Sequence, residues 1–156
     1  MYSSSAFSAS ATFTPAAASH LAGDSVGVAA EFVLLNGNGA PPQTGAHVKI
    51  TGATLRINHA TIETTAWRVH LFNVTPPSAL ADDAAFVLAS ADRASYLGYI
   101  DIAQVLDLVD TQYIEATAPN KVIKLSGTSV FGYLVNGTTL TPNAADHIVT
   151  LQTEMV

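Results

Sequence analysis

Apolar and polar side chains alternate along much of this chain, and the alternation is clearest between Gly45 and Pro77. Val48 and Ile50 flank Lys49, and Leu55 and Ile57 flank Arg56. Successive side chains leave opposite faces of a pleated strand, so this spacing predicts half-buried strand segments. The apolar positions are even before Gly52 and odd after it, which predicts a bulge or bend at that glycine. Trp67, Val69 and Leu71 form the next alternating face, with Arg68, His70 and Phe72 opposite. The single tryptophan places the centre of the core here.

The same reading extends both ways. Val26 to Leu35 predicts a strand that stops in Asn36-Gly37-Asn38-Gly39-Ala40-Pro41-Pro42, where Asn-Gly pairs favour tight turns and prolines forbid further ladder bonds. After Pro76-Pro77, Ser78 to Ala94 predicts the one short helical segment, capped by Ser78 or Asp82. Strands return at Tyr96–Ala103, Gln104–Val109, Tyr113–Thr117, Lys121–Leu125, Thr128–Val135 and His147–Thr153. Thr128–Val135 is nearly continuous apolar sequence, as expected of a central strand covered on both faces. About eight strands with little helix predict an all-β domain, and a jelly-roll-like β-sandwich is the simplest closure.

Composition narrows the function. At 156 residues the chain is long enough for one domain with a real core. Residues 21–156 are expected to form that domain. Residues 1–20, rich in Ser and Ala, are expected to be an N-terminal arm, either a flexible terminus or one that docks on a neighbouring subunit through Tyr2, Phe7 and Phe13. Only 12% of residues are charged, against about 25% in an ordinary soluble protein. The remaining polar surface is Thr, Ser, Asn and Gln, suited to hydrogen bonding with a neighbour. A net charge of −6 argues against nucleic acid, which needs a basic footprint. No run approaches the roughly 20 apolar residues of a membrane helix, and no secretory signal is expected. With no cysteine, disulfides and thiolate metal sites are excluded.

Candidate chemistry is sparse. Gly23-Asp24-Ser25 matches the nucleophile block of some lipases, but lacks a strand-to-helix turn and a correctly spaced Asp-x-x-His, and reads as a turn. Asp82, Asp83 and Asp92 lack calcium-loop spacing and read as caps. None of the histidines, at 20, 47, 59, 70 and 147, forms a His-x-His or His-x-x-x-His pair, and His70 reads as an outward strand residue. The expectation is therefore no enzyme, no metal and no cofactor.

Several segments carry a resemblance. Gly52-Ala53-Thr54-Leu55-Arg56 is followed by Arg68–Pro76, in which the strand ends in Leu71-Phe72 before a proline turn. Asp82-Asp83-Ala84-Ala85-Phe86, Asp92 and Tyr96-Leu97-Gly98-Tyr99-Ile100 follow. Across residues 45–102 this resembles capsid decoration, or cement, proteins of tailed bacteriophages. The resemblance implies a jelly-roll body, a homotrimer, the major capsid protein as partner and a place on the outer surface of the virion. It brings no catalytic residues. A rival expectation is a carbohydrate-binding β-sandwich of a tail or head fibre, with Trp67 or Tyr113 as the stacking aromatic. A cupin-like metal enzyme is a second rival.

Overall fold

The computed structural model describes residues 6–156, so Tyr2 lies outside the described residues. Ten strands are present and no helix among those residues. They are β1 (Ala6–Phe13), β2 (Ala30–Val33), β3 (Leu35–Asn36), β4 (His47–Ile57) and β5 (Trp67–Phe72), then β6 (Tyr96–Ile102), β7 (Leu106–Asp107), β8 (Gln112–Lys124), β9 (Ser129–Asn136) and β10 (His147–Met155). Two sheets form, in the orders β3-β1-β10-β4-β8-β7 and β2-β9-β5-β6. Every pairing is antiparallel. Setting aside the two-residue edge strands β3 and β7, the chain passes from one sheet to the other at each step except β5 to β6.

The inward faces of both sheets meet in one core. Trp67, Val69 and Leu71 from β5 face Val48, Ile50, Ala53, Leu55 and Ile57 from β4, all buried. The switch of apolar parity in β4 is made by a bulge: its pairing with β8 shifts between Ile50 and Gly52, and β10 shifts between Gln152 and Thr153. The inserted residue keeps the odd-numbered apolar side chains facing inward. β9 is central in its sheet, between β2 and β5, as its unbroken apolar run requires.

Two sequence expectations are corrected here. Residues 6–13 do not form an arm. They make β1, paired with β10 from Ala6↔Glu154 to Phe13↔His147. Strict alternation buries Phe7, Ala9, Ala11 and Phe13 in the chain's own core, where the Phe13 ring lies 6.2 Å from that of Phe32. The small Ala9 and Ala11 between the aromatics suit close inter-sheet packing, Ser8 and Ser10 lie on the exposed face, and composition alone made the segment resemble a tail.

The second correction concerns Ser78–Ala94, which is an irregular segment with no helix. Its backbone groups are spent across the fold. Phe86 N–H donates to Gly23 O at 2.9 Å, Ser25 N–H to Ala84 O at 2.8 Å and Asp83 N–H to Ser25 O at 3.0 Å. Asp83 adopts φ 65, which no helix permits. Leu80, Phe86 and Leu88 pack instead on Phe72, Tyr133 and Val135, forming a second apolar cluster on the outer face of the four-stranded sheet. Tertiary burial of these side chains outweighs the weak helical preference of an alanine-rich segment.

Candidate functional site

Two buried histidines fasten the long loops to the sheets. His20 and His147 are both fully buried. In each ring Nδ1 faces the carbonyl two residues earlier, Ala18 O at 3.0 Å and Ala145 O at 2.9 Å. Each Nε2 faces a carboxylate from a distant loop, Asp82 Oδ1 at 2.9 Å and Glu63 Oε2 at 2.7 Å. Burial works against charge on His20, but its bonds to Asp82 and the Ala18 carbonyl prevail and raise its pKa above the ordinary value. Asp82 also accepts the N–H groups of Ala16 and Gly27. Burial opposes its ionisation, yet those N–H groups and His20 hold its pKa below the ordinary carboxylate value. Ser25 is buried and donates its hydroxyl to Gly27 O and Ala81 O, with no bond to His20, so Gly23-Asp24-Ser25 holds no activated nucleophile.

An open cleft of about 490 Å³ lies on the outer face of the four-stranded sheet, beside the segment that carries Phe86. Register builds it: Arg68 on β5 stands opposite Asp101 on β6 and Val135 on β9, so all three share that face. Arg68 Nε–H donates to Asp101 Oδ1 at 2.7 Å, and the guanidinium lies 4.1 Å above the Tyr99 ring centroid. His70 stacks on Phe86 at 3.8 Å between centroids, and its Nδ1 is 2.9 Å from Tyr96 Oη. Burial, with the nearby Arg68 cation adding to it, pushes the His70 pKa down to about 4. His70 does lie on the outward side of its strand, but the Phe86 loop covers it. Trp67 and Asn136 also line the cleft. They are register partners, and Trp67 Nε1 and Asn136 Oδ1 are buried without a hydrogen-bond partner among the described residues.

A second exposed feature is the turn between β7 and β8. Leu106, Leu108 and Val109 are 63%, 58% and 76% exposed. Val109 has φ 77, a conformation that costs a β-branched residue about 1–2 kcal/mol. Asp107 Oδ1 accepts the Val109 N–H at 2.8 Å and holds the turn in this shape.

The residues singled out from sequence are therefore dispersed. Phe7 and Phe13 are in the core, and Trp67 is buried, in edge contact with His147 at 5.2 Å. Tyr113 lies on β8 with its hydroxyl on Glu115 Oε1. Asp92 accepts the Ser78 N–H, closing a loop and capping no helix. Among the described residues no three His, Cys, Asp or Glu side chains converge on a point that would hold a metal ion. Sequence reasoning passed over Arg68, Tyr99, Asp101 and Asn136. They become neighbours only through the pairing of β5 with β6 and β9, which no local spacing encodes.

No protein-family model and no curated protein matches this chain. Among solved structures, a chain from the structure of Triatoma virus is similar to it at 13% identity, with a TM-score of 0.23. The match covers 98% of this chain and 62% of that one. This chain thus spans under two thirds of the viral chain, and at that TM-score the likeness carries no argument about fold or function.

Proposed function

We propose that this chain is a structural virion protein with a jelly-roll body, which binds the outer surface of a tailed-bacteriophage capsid and adds contacts between shell subunits. Three features support the reading. The eight principal strands are ordered as in two interleaved Greek keys, an architecture common in capsid and lectin domains. The surface is poor in charge, as befits a protein that docks through neutral hydrogen bonds and apolar contacts. The observation that carries most weight is the β7–β8 turn, whose Leu106, Leu108 and Val109 are exposed and serve no core of their own. A turn that holds a strained valine toward solvent is spending stability on a surface feature.

On this reading the partner is the major capsid protein and the assembly a homotrimer, whose cyclic symmetry suits sites where shell subunits meet. Each turn contributes modest affinity, and a trimer engages several sites at once, so the second and third contacts form at high effective concentration. The test is co-sedimentation with empty heads of the encoding phage, together with light scattering across a dilution series. Wild type is expected to be trimeric and to pellet with heads. A double variant, Leu108→Asp with Val109→Asp, is expected to stay in the supernatant with a melting temperature no lower than wild type, since Asp tolerates the positive φ of residue 109 better than Val. A monomer that never pellets would overturn the proposal.

A further inference from the structure

We infer that the cleft between Arg68, Asp101 and Phe86 is a binding site for a neutral carbohydrate. This does not depend on the shell reading, since the cleft is separate from the β7–β8 turn in sequence and lies on the other sheet.

The chemistry of the lining selects the ligand. Arg68 spends its Nε–H on Asp101 Oδ1, which leaves its terminal amino groups and Asp101 Oδ2 without partners among the described residues. The cleft therefore offers several strong donors beside a strong acceptor, on side chains that are 44% and 64% exposed. Adjacent hydroxyls of a sugar ring, each able to donate and accept, match that arrangement. The two charges cancel, and His70 carries no charge near neutral pH. A phosphate or carboxylate would meet Asp101, a cation would meet Arg68, and a wholly apolar ligand would strip water from both without replacement. Beside these polar groups lie Phe86, Val135 and Ala22, apolar surface for the C–H face of a sugar ring. Tyr99 on β6, 47% exposed, lies under the Arg68 guanidinium and helps hold those donors in place.

A peptide strand fits less well. The rim's backbone groups are already paired: Gly23 N–H with Asn136 O, Phe86 N–H with Gly23 O, and Gly137 N–H with Ala66 O. Those groups leave no ladder edge on the Phe86 side of the cleft, and the open edge of this sheet beside Asp101 is at β6, across the cleft from them. The volume of about 490 Å³ lies within the usual range of small-molecule sites, about 300–1,000 Å³.

The experiment is saturation-transfer NMR and calorimetry with lactose, maltose and cellobiose, and with sialyllactose and glucose 6-phosphate as charged comparators. At least one neutral disaccharide is expected to bind saturably. Arg68→Ala and Asp101→Asn are each expected to weaken it about tenfold, because each removes hydrogen bonds to a charged group. Both side chains are at least 44% exposed, so melting temperatures should stay near wild type. Leu106→Ser, on the distant turn, is expected to leave sugar binding unchanged while weakening head binding, which separates this site from the shell contact. The inference is overturned if no neutral sugar saturates, if only the charged sugars bind, or if binding survives both cleft substitutions undiminished.

Discussion

His20 and His70 hold the same loop, residues 73–95, and respond to pH in opposite directions. His20 grips Asp82 of that loop. Its raised pKa means that its contribution is fully present below the ordinary histidine value and is lost as pH rises through the raised one. Asp82, with a lowered pKa, contributes above the ordinary carboxylate value and loses that contribution as pH falls through the lowered one. The clamp is therefore strongest between about pH 4 and about pH 6.5. The difference in urea midpoint between wild type and Asp82→Asn should be largest near about pH 5.5 and smaller by about pH 8.5. A difference that stays flat would show that charge plays no part in the clamp. His70 has its pKa lowered to about 4, so the unfolded chain takes up protons that the folded chain refuses. Its neutral stack on Phe86 stabilises above about pH 6.5 and loses that advantage as pH falls toward 4. Limited proteolysis between residues 73 and 95 should accelerate as pH falls below about 6.5, where the His20 clamp is already at full strength, and His70→Phe, which keeps an aromatic against Phe86, should flatten that response.

At the scale of elements, β1 decides how the chain should be divided. Its four inward side chains belong to the main core. Phe13→Ala should cost about 3–5 kcal/mol in chemical denaturation, and removing residues 1–20 should unfold the body, because β10 would lose a whole flanking strand. A truncated chain that melted like wild type would restore the arm reading. Much of the rest was legible beforehand. Trp67 marked the core because large aromatics dominate buried area. The parity switch at Gly52 marked a bulge because a two-residue period cannot otherwise keep one face inward. What escaped was whatever depends on distant pairing. Ser78–Ala94 has a helix-compatible composition, yet its backbone bonds to residues near 24, which only the assembled fold provides. Tyr113–Thr117 and Lys121–Leu125 looked like two strands because Ala118-Pro119-Asn120 is turn chemistry. They run as one, β8, with Ala118 and Asn120 at positive φ inside it. The proline and lysines there guard a sheet edge that β7 covers only at Gln112 and Tyr113. The cleft was invisible for the same reason: Arg68 and Asp101 are 33 residues apart and meet across a ladder.

For the whole molecule, the pairing of β1 with β10 sets the order of events and the response to load. Residues 6 and 154 are register partners, so strand formation near residue 6 waits on residues near 154. Contacts this distant in sequence make folding slow relative to helical proteins of the same size. The same geometry has a mechanical side. Ala6 and Met155 lie at one end of the β1–β10 ladder, so tension applied between them peels its hydrogen bonds apart singly, as a zipper opens. Tension applied between Phe13 and Met155 would load the ladder lengthwise and set all its bonds against the pull together. Single-molecule stretching should therefore show a low rupture force for the first pair of handles and a much higher one for the second. The β1–β10 ladder thus resists a lengthwise pull better than one that opens it from the Ala6 end.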